Sequence, residues 1–242
     1  MPVVEFNDVD IAPLFSWSKE FEIVSDTEEP RKVYMRVLGD ADMGKARVSA
    51  LRASAELRRK LKDLGSDERL AFIKDPDDID KDTMIAVIIV LTMRGLSEIA
   101  KTKLKIKLPK QPRTDAKTSV QEKYQQEVDS YPERRQKELK SLLDKEVIIA
   151  KTALEAEDNS VLYSKYVSAM IDEMCEQEQL RAFKSWSCYL GSYRDAELRE
   201  RLFSSFEDFN NLEPNLKQQF IAEYGTLELY GDDLKKLQRV MP

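Results

Sequence analysis

A mainly α protein carrying a small N-terminal β-hairpin is what this sequence predicts, and three observations carry the prediction. Apolar residues recur at three- and four-residue steps over most of the chain, a spacing that lines them along helix faces. Only 7 Gly and 9 Pro occur in 242 residues, too few for the turns of a β-sandwich. Alternation of apolar and polar residues, the mark of a half-buried strand, is confined to the N-terminal part and one lysine-rich segment.

The elements follow in order. Phe15, Trp17, Phe21 and Ile23 fall on alternate positions, the tract Ser25 to Pro30 reads as a turn, and Arg31 to Leu38 as a returning strand. Gly39 then stops the strand and Asp40 caps a long helix, since a short carboxylate accepts the free amides of a first turn. Met43, Ala46, Ala50, Leu57, Leu61 and Leu64 share one side of that helix, and Lys45, Arg47, Arg52, Arg58, Arg59, Lys60 and Lys62 fill much of the rest. Its acidic start and basic end suit the helix dipole. Asp67 to Ile73 predicts a short helical turn, and Lys74 to Asp82 an acid-rich loop that caps the next helix. Asp75, Asp77 and Asp80 approximate the spacing of a calcium loop, but Asp80 stands where its glycine belongs and Ala86 where its bidentate Glu belongs. Met84 to Ile99 is apolar nearly all round, which predicts a core helix buried on several sides.

Lys101 to Lys117 changes character, with seven basic residues against Asp115. Leu104, Ile106 and Leu108 alternate with lysines, as in a half-exposed strand or an extended arm, and Pro109 and Pro112 delay the next helix to about Asp115. Helical pattern then runs to about Ser192. Pro132 starts a new helix or kinks the old one, with Ser130 as its cap. Leu139, Leu142, Leu143, Glu146, Ile149, Ala150 and Ala153 give a face, Glu155 to Ser160 a break, and Leu162, Tyr166, Met170, Met174, Leu180, Phe183 and Trp186 a resumed face. Two short helices close the chain, Asp195 to Phe209 and Pro214 to Leu229, followed by a last turn from Asp232 to Gln238. Composition thus divides the chain into 1–108 (hairpin and helices), 109–117 (a basic linker) and 118–242 (a helical C-terminal region). The whole reads as a multi-helix, bundle-like protein.

Chemistry is scarce. The chain has no histidine, which removes the commonest general base and most transition-metal sites. No Gly-rich phosphate loop occurs, and no carboxylate pair has a reason to be pre-organised. Cys175 and Cys188 read as reduced structural thiols. No catalytic residue, cofactor or metal is expected. The net charge of −6 argues against wholesale coating of nucleic acid. The longest apolar run, Met84 to Leu91, is about half a membrane span, and the acidic N-terminus lacks the basic start of a secretory signal. A cytoplasmic protein with no membrane partner is the expectation.

The stretch VLGDADMGKARVSALRASAELRRKL, Val37 to Leu61, resembles the strand-to-helix region of tail assembly chaperones of long-tailed bacteriophages. SSFEDFNNLEPNLKQQFIAEYGTLELYGDDLKKL, Ser204 to Leu237, is similar to their small helical C-terminal part. Together these stretches cover about a quarter of the chain. The resemblance implies a non-enzymatic helper that coats a long helical tape-measure protein and recruits tail-tube subunits. This chain is longer than the commonest pattern of that family and adds the helical region Asp115 to Ser192.

The functional expectation is therefore a protein-binding assembly factor whose partners are a helical client or assembly subunits, with self-association also compatible. Its partner-binding candidates are Arg47, Arg52, Arg58, Arg59 and Lys60 on the long helix, and Lys103, Lys105 and Lys107 on the basic arm. One alternative is a structural subunit of a tail or other large assembly, engaging neighbours through residues 1–20 and 101–117. The other is a nucleic-acid-binding regulatory module that uses the arginines of the long helix. Such binding would fall steeply with salt.

Overall fold

A computed structural model describes residues 18–23, 31–113 and 117–238, with the backbone alone for 228–238. The described residues are mainly helical, with one three-stranded antiparallel sheet. The elements are β1 (Ser18–Ile23), β2 (Arg31–Arg36), α1 (Asp40–Lys62), α2 (Asp67–Phe72), α3 (Lys81–Thr102), α4 (Thr118–Glu155), α5 (Asn159–Gly191), β3 (Ser192–Tyr193), α6 (Phe206–Asn210) and α7 (Pro214–Gln238). Phe15, Trp17 and the turn Ser25 to Pro30 lie outside the described residues. The chain divides into two compact units, one of Met1–Arg59 with Cys175–Pro242 and the other Lys60–Met174.

The first unit is built on the sheet. β2 is its middle strand, pairing Ser18 with Arg36 through Ile23 with Arg31 on one side, and Tyr34 with Tyr193 on the other. Period-two alternation sends Val33 and Met35 to the buried face, and both are almost wholly buried. They join Phe21, Leu38, Ala46, Cys188, Leu190, Phe209, Phe220, Tyr224 and Leu227 in one core. Aromatic edges lock it: Phe21 meets Phe220 at 5.5 Å, and Phe203 meets Phe209 at 5.3 Å and Phe220 at 5.4 Å. Edge-to-face pairs of this kind add about 0.5–1.5 kcal/mol each beyond the area they bury. The Tyr224 hydroxyl accepts the Leu38 amide at 3.3 Å, which ties α7 to the entrance of α1.

The helix expected over Asp195 to Phe209 is corrected by the structure. Residues 194–205 form turns and a bridge between Tyr193 and Arg201, and only Phe206–Asn210 is helical. The Asp195 carboxylate accepts the amides of Arg199 at 3.1 Å and Glu200 at 2.7 Å, closing a local turn that competes with helix. Leu198 adopts φ 57°, a left-handed conformation no helix tolerates. Helix resumes where Ser205 and Asp208 form a capping box.

The second unit holds α2, α3, α4 and the start of α5. Ser66 caps α2, and Asp80 caps α3 by accepting the Thr83 amide at 2.8 Å. α3 and α4 pack against each other. α3 buries one face, Met84, Ile85, Ile88 and Ile89, with Ala100 near its end. Val90, on the opposite side, is 67% exposed, so the expected burial on several sides does not occur. α3 spans Lys81–Thr102 and so extends well past the apolar run Met84 to Leu91. It is long and apolar enough to cross a membrane by length and composition, as a soluble core helix also can be. α4 continues through Pro132 as one helix, so no new helix starts there. Ser130 donates to the Glu127 carbonyl instead of capping a helix. The stretch after α3 is irregular. Glu138 holds it by accepting the amides of Lys105 at 3.4 Å and Ile106 at 3.2 Å.

Candidate functional site

α1 presents the most distinctive surface of the described chain. Its inward line begins with small residues: Ala46 and Ala50 are buried, the Ser54 hydroxyl donates to the Cys175 carbonyl at 2.9 Å, and the larger Leu61 is buried near its end. With the inner face so fixed, the helical period turns Gly44, Val48, Leu51 and Ala55 outward, and all four are exposed. Val48 is 49% and Leu51 55% exposed. Steps of four, three and four residues keep them on one line, the spacing of a coiled-coil seam. A Cβ added at Gly44 would meet nothing within 4 Å among the described residues. Their packing does not require this glycine, which costs a helix about 0.5–1 kcal/mol relative to alanine.

In that seam Lys45, Arg52 and Arg59 hold one flanking position and Arg47 the other. Lys45 pairs with Asp42 at 3.3 Å and Arg59 with Glu56 at 2.8 Å. Arg47 and Arg52 are exposed and have no hydrogen-bond or ion-pair partner among the described residues. The result is an apolar line with one basic edge (Lys45, Arg52 and Arg59) and Arg47 alone on the other, where Ser54 and Leu61 follow on the inward face, and with two uncompensated guanidiniums.

The structure separates the eight residues that the sequence nominates. Arg47, Arg52 and Arg59 flank the seam, whereas Arg58 and Lys60 are half-buried. Lys60 reaches Glu68 at 2.7 Å, which holds the Glu68 carboxyl below its ordinary range. Lys103 is engaged by the buried Glu146 at 2.6 Å. Lys105 and Lys107 are exposed, with no side-chain partner among the described residues. Arg47, Arg52, Arg58 and Arg59 belong to the first compact unit, and Lys60, Lys103, Lys105 and Lys107 to the second.

A polar cluster at the start of α1 escaped sequence reasoning. Asp42 is buried and bonds Arg201 at 2.6 Å, with Lys45 at 3.3 Å and Arg36 at 3.6 Å. The guanidinium carbons of Arg36 and Arg201 lie 5.0 Å and 4.8 Å from the centre of the Tyr193 ring, a cation–π geometry. Burial pushes the Asp42 carboxyl up, but the bonds and charges of Arg201 and Lys45 outweigh it and the net shift is downward. Burial likewise raises the Tyr193 phenol. Arg201 Nη1 and Arg36 Nε are buried with no partner among the described residues. The cluster ties β2, α1, β3 and the following turns together. Its parts are too distant in sequence for any local pattern to announce it.

Among the described residues no group of three or more His, Cys, Asp or Glu is placed to hold a metal ion. Comparison with protein-family models, with curated proteins and with solved structures finds no match to this chain.

Proposed function

We propose that this chain is a non-enzymatic assembly factor that binds other proteins, and in its most specific form a tail assembly chaperone of a long-tailed phage that sheaths a helical tape-measure client. The outward face of α1 carries the proposal, because an exposed apolar line with charged edges is what helix-in-groove recognition uses. The same helix lies in the stretch that resembles the chaperone family. Charge on the edges of such a face sets encounter rate and register more than affinity. The proposal assigns no catalytic step, cofactor or metal to the chain.

Affinity capture of the tagged full chain from its native cell, under mild crosslinking with identification by mass spectrometry, tests the reading. Recovery of a very long helical protein together with a tube-like subunit is the expected result. Recovery of nucleic acid alone, or of the chain alone, overturns it.

A further inference from the structure

We infer that the outer face of α1 is one half of a heterotypic two-helix seam, and that its occupant is an amphipathic helix with acidic flanks. The inference deepens the protein-binding reading above and rests on it. Gly44, Val48, Leu51 and Ala55 take the alternating core positions of a heptad. Lys45, Arg47, Arg52 and Arg59 then take the flanking positions that choose partners in coiled coils through ion pairs across the seam.

The charges decide between occupants. A second copy of α1 laid parallel would set Arg47 against Arg52 of the other copy. Laid antiparallel, it would set basic flank against basic flank. Both registers are repulsive, so the face selects against its own kind. Glutamates at the facing positions satisfy Arg47 and Arg52, which the described chain leaves without partners. A nucleic acid would use the arginines but leave Val48 and Leu51 uncovered in water. Gly44 and Ala55 are small enough to let a second helix backbone come close.

The test uses the full chain and two labelled four-heptad peptides with the same Leu/Ile seam, one carrying Glu and the other Lys at every flanking position. Fluorescence anisotropy should show the Glu peptide bound, with affinity falling as salt is added, and the Lys peptide not bound. Leu51→Asp should abolish binding. The double variant Arg47→Glu with Arg52→Glu should weaken the Glu peptide by about tenfold or more and gain affinity for the Lys peptide. That gain is an outcome misfolding cannot produce. Equal binding of both peptides, binding of neither, binding of duplex DNA in place of the Glu peptide, or self-association lost in Leu51→Asp would each overturn the inference. If neither peptide binds while capture still recovers assembly partners, the face is wrong and the assembly reading stands. If capture fails as well, both fall.

Discussion

Gly191 stands where the last turn of α5 meets β2 and α7. A Cβ built there would lie 2.9 Å from the Arg36 carbonyl oxygen and 2.9 Å from the Tyr224 ring. One neighbour is backbone, so relief requires the strand to move. Gly191→Ala is therefore expected to destabilise the protein by about 1–3 kcal/mol, read as a lower urea midpoint, although alanine favours helix elsewhere. Asp42 makes a second residue-scale case. Its folded-state carboxyl titrates below its ordinary range because the bonds and charges of Arg201 and Lys45 outweigh its burial. A depressed carboxyl contributes stability in full above its unfolded value of about 3.9 and loses it as the pH falls through the folded value. Asp42→Asn should thus lower the urea midpoint at neutral pH and flatten its decline below about pH 4. An unchanged acid limb would show that Asp42 contributes nothing to acid unfolding.

Elements were legible where the signal was local. Ser66 and Asp80 stand at helix starts because each puts a side-chain acceptor at an unpaired turn of amides, α1 begins at Asp40 with the Gly39 carbonyl accepting the Met43 amide at 2.9 Å, and the break at Glu155 to Ser160 is real. The segment 194–205 was not legible, since Leu198, Leu202 and Phe206 mimic a helical stripe while Asp195 closes a turn that the stripe does not reveal. The basic flank of α1 was readable from its composition. Its apolar line was not, because only the burial of Ala46 and Ala50 shows that Val48 and Leu51 point away from the core. The arm after α3 shows the same limit. Its alternating lysines suggest a strand, yet two of its amides bond the Glu138 carboxylate 32 and 33 residues away. Glu138→Ala should speed hydrogen exchange at the Lys105 and Ile106 amides by about tenfold while leaving Ile88 and Ile89 unchanged. Unaltered exchange at 105 and 106 would mean that the carboxylate does not hold the arm.

At the scale of the whole molecule, apolar burial is unevenly spread, and the difference lies within elements as well as between them. In the first unit Val33, Met35, Phe209 and Phe220 are almost wholly buried among interlocked aromatic edges. In the second, α4 is divided along its length. From 138 onward Leu139, Leu142, Leu143, Val147 and Ala150 are half-buried, and Glu146 and Leu154 fully buried. Over 118–137 only Tyr124, Val128, Ser130 and Tyr131 are half-buried and every other residue is exposed. Pro132 also withdraws one amide from this half of the helix. A helical stretch with so little tertiary cover rests on its own propensity, which is marginal at such lengths. Hydrogen exchange followed by mass spectrometry should therefore find 118–137 among the fastest of the helical segments. The later half of α4 should exchange more slowly, and β2 together with the Phe209–Tyr224 region slowest of all, since local opening tracks the packing lost on opening. Uniform protection along α4 would overturn this ordering. It would mean that the exposed half is covered in solution, and protection that then rose with protein concentration would assign that cover to another copy of the chain.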